Sequence, residues 1–258
     1  MAWIDLEGAV NVRDLGGLPT VDGGSTVPGR LLRSENLQEL SPADVAKLVK
    51  EIGVTTVVDL RTTGELEVEG PGPLDAVPTV RHVHHPVLKE LGTATQAVSE
   101  ALLVTKIEQD RARYPDDITT GHYLGYLEER PDEVTGALRD IATAEGAAIV
   151  HCAAGKDRTG VIVAMALTAA GVEPDAIVAD YVATADRIDA IIERLSRSRT
   201  YAQDVTTRPV KAHLPRAGTM RAFLEQLDAR YGGLPPWLAG NGFGDDEFSL
   251  LRDKLREP

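Results

Sequence analysis

Short apolar runs mark the predicted strands of the chain. Residues 54–60 (VTTVVDL) are rich in β-branched side chains and form a continuous run, as expected for a strand covered on both faces of a sheet. Residues 148–150 (AIV) form a second buried strand, and residues 79–87 are predicted as a third. The Gly-rich first forty residues, with LGGL and VDGGS, predict turns between short strands.

Helical signals lie between and after these strands. Ser41 is a typical N-cap, Pro42 suits the first helical position, and Gly53 follows the predicted helix end. Within residues 131–143, apolar side chains recur at helical spacing. Further helices are predicted at 96–110, 159–170, 174–196, 217–231 and 246–256. Because strands alternate with helices, the sequence predicts an α/β fold with a mainly parallel central sheet flanked by helices, followed after Pro174 by a wholly helical segment.

Composition narrows the possible functions. A chain of 258 residues is long enough for one large domain, and we predict a single domain over residues 1–258. The net charge of −13 argues against nucleic-acid binding and against binding to anionic membranes. One cysteine excludes an intramolecular disulfide framework. Since we find neither a signal peptide nor an apolar run long enough to span a bilayer, we expect a cytoplasmic protein without membrane insertion.

That cysteine, Cys152, stands between the strand at 148–150 and the helix at 159–170, in the sequence HCAAGKDRTG. Small residues at 153–155 allow the backbone N–H groups of this turn to converge on one point, and the positive end of the following helix lies behind them. Arg158 can bind two phosphate oxygens at once. The turn therefore predicts an anion-binding site.

The same arrangement predicts a nucleophile. A positive field favours the thiolate, which is the reactive form of Cys152, and a phosphate held above it is placed for in-line attack and a covalent phosphocysteine. Thr159 is placed to hydrogen-bond the sulfur when it leaves. The structural alternative is a half-buried core cysteine, which is the usual fate of a lone cysteine.

HCAAGKDRTG is similar to the signature of cysteine-dependent phosphatases. Four other stretches resemble the atypical bacterial tyrosine/lipid phosphatases: NVRDLGG at 11–17, GRLLRSENL at 29–37, VVDLRTTGE at 57–65 and GVEPDAIVADYVATAD at 171–186. The resemblance implies a protein-tyrosine-phosphatase-like fold, a lid formed by residues 174–235, and activity without metal or cofactor. It implies phosphorylated protein or phosphoinositide as substrate, and contacts to it from Ala153, Ala154, Gly155, Lys156 and Gly160, with His151 and Asp59 in support.

Lysine is common at the position of Lys156 in phosphoinositide phosphatases, whereas Ala153 stands where several lipid phosphatases carry a second lysine. Three aspartates are candidates for the proton donor to the leaving group: Asp157, Asp116 and Asp59. The family resemblance favours Asp157 in the loop. Asp116, in Tyr114-Pro115-Asp116, is similar to the Trp-Pro-Asp acid loop of ordinary tyrosine phosphatases, although a helix cap before Ile118 is the structural alternative. Asp59, at the end of its strand, is expected to orient Arg158 or neighbouring backbone.

Two weaker signals remain. His82 and His84 share a strand face and could bind a metal, but solvated strand histidines are the better interpretation. Residues 187–221 hold eight arginine or lysine residues against three acidic ones, which indicates either a solvated helical face or a segment that steers anionic substrates.

The sequence thus predicts a phosphomonoesterase acting on phosphotyrosine, and also on phosphoserine, phosphothreonine and phosphoinositides. One alternative is a phosphatase of small soluble esters such as inositol phosphates or nucleotides. Another is a phosphate-ester binding module without turnover. A sulfurtransferase would also use a loop cysteine, but the HC…GKDRTG frame favours phosphate.

Overall fold

The computed structural model describes residues 1–89, 112, 114, 117–207 and 209–256. Within this part of the chain, six strands form one sheet in the order β1-β2-β3-β6-β4-β5. Neighbours from β3 to β5 in this order are parallel, whereas β1 and β2 add antiparallel pairs at one edge. The mainly parallel α/β fold is therefore confirmed. The strands are β1 Ala2–Trp3, β2 Arg13–Asp14, β3 Leu31–Ser34, β4 Val54–Asp59, β5 Arg81–His84 and β6 Ala147–His151.

Helices cover both faces of this sheet. A π-helix, Lys47–Ile52, continues α1, and 3-10 turns occur at Pro73–Ala76, Thr184–Arg187 and Val210–His213. The α-helices of the described residues are α1 Pro42–Ala46, α2 Thr63–Glu69, α3 Ile118–Glu129, α4 Pro131–Thr143, α5 Asp157–Ala169, α6 Pro174–Ala183, α7 Ile188–Leu195, α8 Ala202–Thr206, α9 Ala217–Tyr231, α10 Leu234–Gly240 and α11 Asp245–Leu255.

Strand β6 shows how the core is divided. Ala147 and Ile149 belong to the apolar cluster under α1 and the π-helix, whereas Ala148 and Val150 belong to the larger cluster on the opposite face. Successive side chains of a strand point to opposite faces, so a strand covered on both faces is apolar throughout. Helix α5 contacts α3, α4, α6, α10 and α11, which explains why it is apolar on nearly all sides.

Most predicted elements are found within a few residues of their expected bounds. The helix at 131–143 and the helix at 217–231 have the predicted limits, and the strands are confirmed at 54–59, 81–84 and 147–151. The helix predicted at 96–110 lies outside the described residues. Helix α2 is an element that hydrophobic spacing did not indicate.

The expectation of helices after Pro174 is confirmed, with one difference inside the helix predicted at 174–196. The predicted helix at 174–196 is divided by the 3-10 turn, and α7 ends at Leu195. Ser198 explains the break that follows: its hydroxyl accepts from the N–H groups of Thr200 and Tyr201, at 3.0 and 3.3 Å, and so replaces helical bonds.

Three parallel strands end side by side at the carboxyl edge of the sheet. Asp59 of β4 lies opposite His151 of β6, and His151 lies opposite Ser34 of β3. Ligands of open α/β sheets bind beyond this edge. The HCAAGKDRTG sequence begins at this edge, because its first residue, His151, is the last residue of β6.

Candidate active site

The chain between β6 and α5 forms a tight loop, and we call residues 152–158 the cysteine loop. Cys152 follows β6 directly and is 3% exposed. Gly155 has a φ of +64°, and a Cβ at this position would lie 2.4 Å from the carbonyl oxygen of Ser34. Both facts require glycine, because a side chain would meet the backbone at the end of β3. The loop is therefore packed closely against the sheet edge.

Arg158 is held by a carboxylate. Its Nη1 donates to Oε2 of Glu65 at 2.6 Å, and its Nη2 donates to Oε1 at 2.8 Å. Burial opposes the charge of Arg158, but the hydrogen bond to Glu65 and the nearby Cys152 and Glu65 raise its pKa above the ordinary value. For Glu65, burial would raise the pKa, yet the bond and charge of Arg158 and the N–H of Thr62 lower it to about 2. The pair is ionised across the physiological range.

Sequence reasoning did not single out Glu65. A local signal existed: Thr62 and Glu65 have capping-box spacing, and the Thr62 hydroxyl accepts from the Glu65 N–H at 3.2 Å while Glu65 accepts from the Thr62 N–H at 2.7 Å. That pattern predicts a helix start, which α2 confirms. It does not predict that the same carboxylate also binds Arg158.

Asp157 ends a chain of hydroxyl groups. The hydroxyl of Tyr123 donates to Oδ1 of Asp157 at 2.5 Å and lies 2.8 Å from the hydroxyl of Tyr181. Burial, reinforced by the Asp157 charge, raises the pKa of Tyr123 well above its ordinary value. The Tyr123 hydroxyl therefore stays protonated, and as a hydrogen-bond donor it fixes the position of one oxygen of Asp157. The other oxygen, Oδ2, lies 3.5 Å from Nζ of Lys156.

Asp59 binds its own neighbours. Its carboxylate accepts from Nη2 of Arg61 at 2.5 Å and from the Arg61 backbone N–H at 3.0 Å, and Nε2 of His151 lies at 3.4 Å. Although burial opposes ionisation, His151 and Arg61 hold the pKa of Asp59 well below its usual range. Of the two roles expected for Asp59, it orients nearby backbone, while Arg158 is bound by Glu65.

A cavity of about 500 Å³ opens above the cysteine loop. The loop supplies a polar floor, and the far side is mostly apolar. We call residues 188–207 and 209–213 the covering segment, because they supply that far side through α7, α8 and the turns beside them. The lining residues of the covering segment are Ile188, Ile192, Leu195, Thr200, Tyr201, Val205, Thr207 and His213.

The covering segment touches the loop through Lys156. Nζ of Lys156 donates to the carbonyl oxygen of His213 at 2.7 Å. By contrast, the helices on either side of the covering segment, α6 and α9, belong to the main core. Within residues 174–235, the part that covers the cavity is therefore the middle.

Two other predicted site residues, Thr159 and Gly160, are buried and do not line the cavity. The Thr159 hydroxyl is buried and has no hydrogen-bond partner in the described part of the chain, so it makes no bond to Cys152 in this structure. Gly160 lies in the first turn of α5, where a Cβ would come within 3.0 Å of the Tyr181 ring. Because glycine has no side chain, the Tyr181 ring can pack closely against the helix at this position.

Over residues 4–257, the chain matches the tyrosine phosphatase family. It belongs to that family. It is 29% identical, over 279 residues and 99% of both chains, to the triple specificity protein phosphatase PtpB of Mycobacterium tuberculosis. It is 27% identical over 231 residues to a tyrosine-protein phosphatase of Nostoc commune, a match that covers 87% of this chain and 73% of that protein. The resemblance seen in the sequence is confirmed, and the family makes the chain a phosphoric monoester hydrolase.

The structure of this tyrosine phosphatase family member brings most predicted site residues together. Cys152, Ala153, Ala154, Lys156, Asp157 and Arg158 all line the cavity. Asp116 lies outside the described residues. Helix α3 is capped by its neighbour Asp117, whose side chain accepts from the Thr119 N–H at 3.0 Å.

The basic residues of 187–221 are largely engaged. Arg194 binds Glu35 and Glu39, Arg197 binds Glu193, and Arg221 binds Asp175. Arg187 stacks on Trp3, 4.9 Å from the ring centroid. Arg199, Lys211 and Arg216 are exposed. Steering of an anionic substrate would depend on these exposed residues rather than on Arg194, which is mostly buried and bound to two carboxylates.

His82 and His84 are exposed on β5. His82 lies 3.4 Å from Asp75, and Nε2 of His84 lies 2.8 Å from the carbonyl oxygen of Arg61. Across the described residues, no group of three or more His, Cys, Asp or Glu side chains is arranged to hold a metal ion. None of the helices described here is long and apolar enough to cross a membrane.

Proposed function

We propose that this family member hydrolyses phosphotyrosine through a phosphocysteine intermediate on Cys152. The observation that carries the proposal is the cavity, which joins the cysteine loop to an apolar wall formed by the covering segment. A phosphoryl group would bind the loop amides and the guanidinium of Arg158, and a phenyl ring would pack against Ile188, Ile192 and Val205. Apolar walls of this kind favour an aromatic leaving group over a bare sugar phosphate.

The reaction has two steps. In the first, the thiolate of Cys152 attacks phosphorus, the bond from phosphorus to the tyrosine oxygen breaks, and Asp157 gives its proton to that oxygen. In the second, a water molecule attacks the phosphocysteine and gives a proton to the Asp157 carboxylate. The sulfur leaves as thiolate and can accept a hydrogen bond from the Thr159 hydroxyl after a rotation of that side chain. Arg158 binds the equatorial oxygens in both steps.

A wider substrate range is a second candidate. Lys156 adds a cation to the floor of the cavity, and the homologous PtpB is named a triple specificity phosphatase. These two facts favour phosphoinositides and phosphoserine or phosphothreonine as additional substrates. Because Ala153 gives no second cation, we expect phosphotyrosine to be preferred.

The covering segment is proposed to act as a lid within a single phosphatase domain. The carbonyl oxygen of His213, which accepts a hydrogen bond from Lys156, and the apolar side chains of the segment close the cavity from one side. Exchange of substrate and product would then require this segment to move.

The first experiment measures hydrolysis of p-nitrophenyl phosphate in excess chelator, with and without vanadate. We expect turnover that vanadate inhibits. Cys152→Ser should abolish turnover and keep phosphate-ester binding, because the loop amides and Arg158 remain. Appreciable hydrolysis by Cys152→Ser would exclude the phosphocysteine route, and binding without turnover in the wild type would indicate a binding module.

A substrate panel completes the test. The rate constants kcat/KM for a phosphotyrosyl peptide, a phosphoseryl peptide, a short-chain phosphoinositide and a nucleotide should be highest for the first. A higher value for the nucleotide or for a free inositol phosphate would favour a phosphatase of small soluble esters.

A further inference from the structure

Three consecutive carbonyl groups of the cysteine loop are bound by one stretch of the N-terminal chain. The carbonyl oxygen of Ala153 accepts from the backbone N–H of Asn36 at 2.9 Å. That of Ala154 accepts from Nδ2 of Asn11 at 2.9 Å. The carbonyl oxygen of Gly155 accepts from Nη2 of Arg33 at 2.6 Å and from Nδ2 of Asn11 at 3.4 Å.

These bonds determine where the loop amides point. In a planar trans peptide, the C=O of one residue and the N–H of the next point in opposite directions. Because the carbonyls of residues 153–155 face the N-terminal stretch, the N–H groups of residues 154–156 face away from it. Among the described residues, these three N–H groups have no acceptor. These N–H groups are therefore available to bind an oxyanion.

The two side chains that bind the loop are themselves held in a buried network. Oδ1 of Asn11 accepts from Nη1 of Arg13 at 2.6 Å, which leaves its amide group to face the loop. Asp180 of α6 binds Nε of Arg13 at 2.8 Å and Nη1 of Arg33 at 2.5 Å. Asn11, Arg13 and Arg33 are each 0% exposed. Two stretches that are distant in sequence, 11–33 and α6, thus meet behind the loop.

From this geometry we infer that Asn11 and Arg33 are positioning residues for oxyanion binding. They touch neither the nucleophile nor the substrate, and they act by fixing the peptide planes of residues 153–155. Free peptide units in a Gly-rich loop would rotate, and an oxyanion would then have to order them at a cost in affinity. Amides already aimed at the anion avoid that cost. The inference deepens the proposed function and rests on it.

Thr184 provides a matched control. It is 0% exposed like Arg33 and belongs to the same network, where its hydroxyl accepts from Nη2 of Arg13 at 3.1 Å, but among the described residues it is bonded neither to Asn11 nor to the cysteine loop. Arg33→Lys leaves one ammonium to serve both Asp180 and the Gly155 carbonyl, which Arg33 binds with separate nitrogens. Asn11→Asp keeps the Oδ1 contact with Arg13 and replaces the donor by a carboxylate oxygen. Thr184→Val removes one acceptor of Arg13 and leaves the bond from Arg13 to Asn11 in place.

The experiment measures the inhibition constants of inorganic phosphate and vanadate, with KM, kcat and Tm, for the wild type and the three variants. We expect Asn11→Asp and Arg33→Lys to bind both oxyanions about tenfold more weakly and to raise KM. Thr184→Val should lower Tm and leave both constants within about twofold. If Asn11→Asp or Arg33→Lys does not fold, Asn11→Ser, a smaller change, replaces it with the same expected direction.

The outcomes separate the two proposals. If the wild type binds vanadate and hydrolyses substrate, the proposed function stands whatever the variants do. Oxyanion constants for Asn11→Asp and Arg33→Lys that match those of Thr184→Val would then overturn the positioning role. A wild type with no turnover and no oxyanion binding would overturn the proposed function, and this inference with it.

Discussion

Glu65 and Arg158 form a two-pronged ion pair in which each guanidinium Nη binds a separate carboxylate oxygen, at 2.6 and 2.8 Å. Arg158 follows Cys152 by six positions, whereas Glu65 lies in α2, 93 positions before Arg158. Fork-to-fork pairs fix the plane of a guanidinium as well as its position. Glu65 therefore sets the orientation in which Arg158 would meet a phosphoryl group.

The first prediction concerns this orientation. Glu65→Gln keeps the shape of the side chain but removes its charge and one acceptor oxygen, so Arg158 should lose its fixed plane. We expect kcat/KM for p-nitrophenyl phosphate to fall about 10- to 100-fold, since misplaced binding groups are costly. Steady-state kinetics measures it.

Glu67→Gln is the matched control, because Glu67 lies on the same helix and is exposed. It should keep nearly full activity. Equal losses in the two variants would mean that helix α2, rather than the Glu65 carboxylate, supports the activity.

The second prediction is a pH dependence of stability. The pKa of Glu65 is lowered from 4.5 to about 2, so its ionisation stabilises the folded state fully above pH 4.5. That contribution, up to about 3 kcal/mol, should disappear as the pH falls from 4.5 towards 2. Urea unfolding at several pH values should show the wild type more stable than Glu65→Gln near neutral pH. The difference should narrow across the acid range. A constant difference down to the lowest pH would contradict the assigned pKa direction.

Much of the fold could be predicted because its signals are local. The β-branched run at 54–60 and the apolar strand before Cys152 are largely buried on both faces, and such strands read as near-continuous runs of apolar and β-branched residues. Pro131 and the spacing that follows it define α4 to the residue. The cysteine loop could be predicted for a similar reason, since nucleophile, glycine and arginine all lie within seven consecutive positions.

The site residues that the sequence did not predict are placed by contacts between segments that are distant along the chain. Glu65 lies 93 positions from Arg158, and Tyr123 lies 34 positions from Asp157. Asn11 lies 143 positions from Ala154. A capping glutamate, a core tyrosine and an asparagine in a turn each have an ordinary local explanation. Their second role, which is to bind residues of the cysteine loop, follows only from the packing of α2, α3 and the N-terminal stretch around that loop.

The third prediction concerns substrate steering. Arg199 and Lys211 are exposed in or beside the covering segment, whereas Arg194 is tied to Glu35 and Glu39. If the exposed cations attract anionic substrate, kcat/KM for a phosphoinositide should fall with ionic strength more steeply than for p-nitrophenyl phosphate. The double variant Arg199→Glu, Lys211→Glu should flatten that difference. Lys50→Glu is the control, since Lys50 is exposed in the π-helix and lies outside the covering segment. Equal salt slopes in the wild type and the double variant would assign Arg199 and Lys211 to an ordinary solvated surface.

The fourth prediction tests the hydroxyl chain at Asp157. Tyr123→Phe removes the donor to Oδ1 and leaves the ring in the core, so the carboxyl group should lose its fixed orientation. We expect kcat for a phosphotyrosyl peptide to fall about tenfold. Tyr181→Phe keeps the bond from Tyr123 to Asp157 and should have a small effect. Similar losses in both variants would point to core packing rather than to orientation of Asp157.

The last prediction identifies the proton donor. A leaving group of low pKa, such as p-nitrophenol, departs with little help, whereas tyrosine needs a proton. Asp157→Asn should therefore reduce kcat for a phosphotyrosyl peptide about 100-fold and change kcat for p-nitrophenyl phosphate far less. It should also remove the fall of kcat at high pH. Asparagine can still accept the bond from Tyr123, so the loop should keep its shape. Asp116→Asn, made in parallel, should show no dependence on the leaving group. If Asp116→Asn shows that dependence and Asp157→Asn does not, the acid is carried by the Tyr114-Pro115-Asp116 segment, and Asp157 is a structural member of the loop.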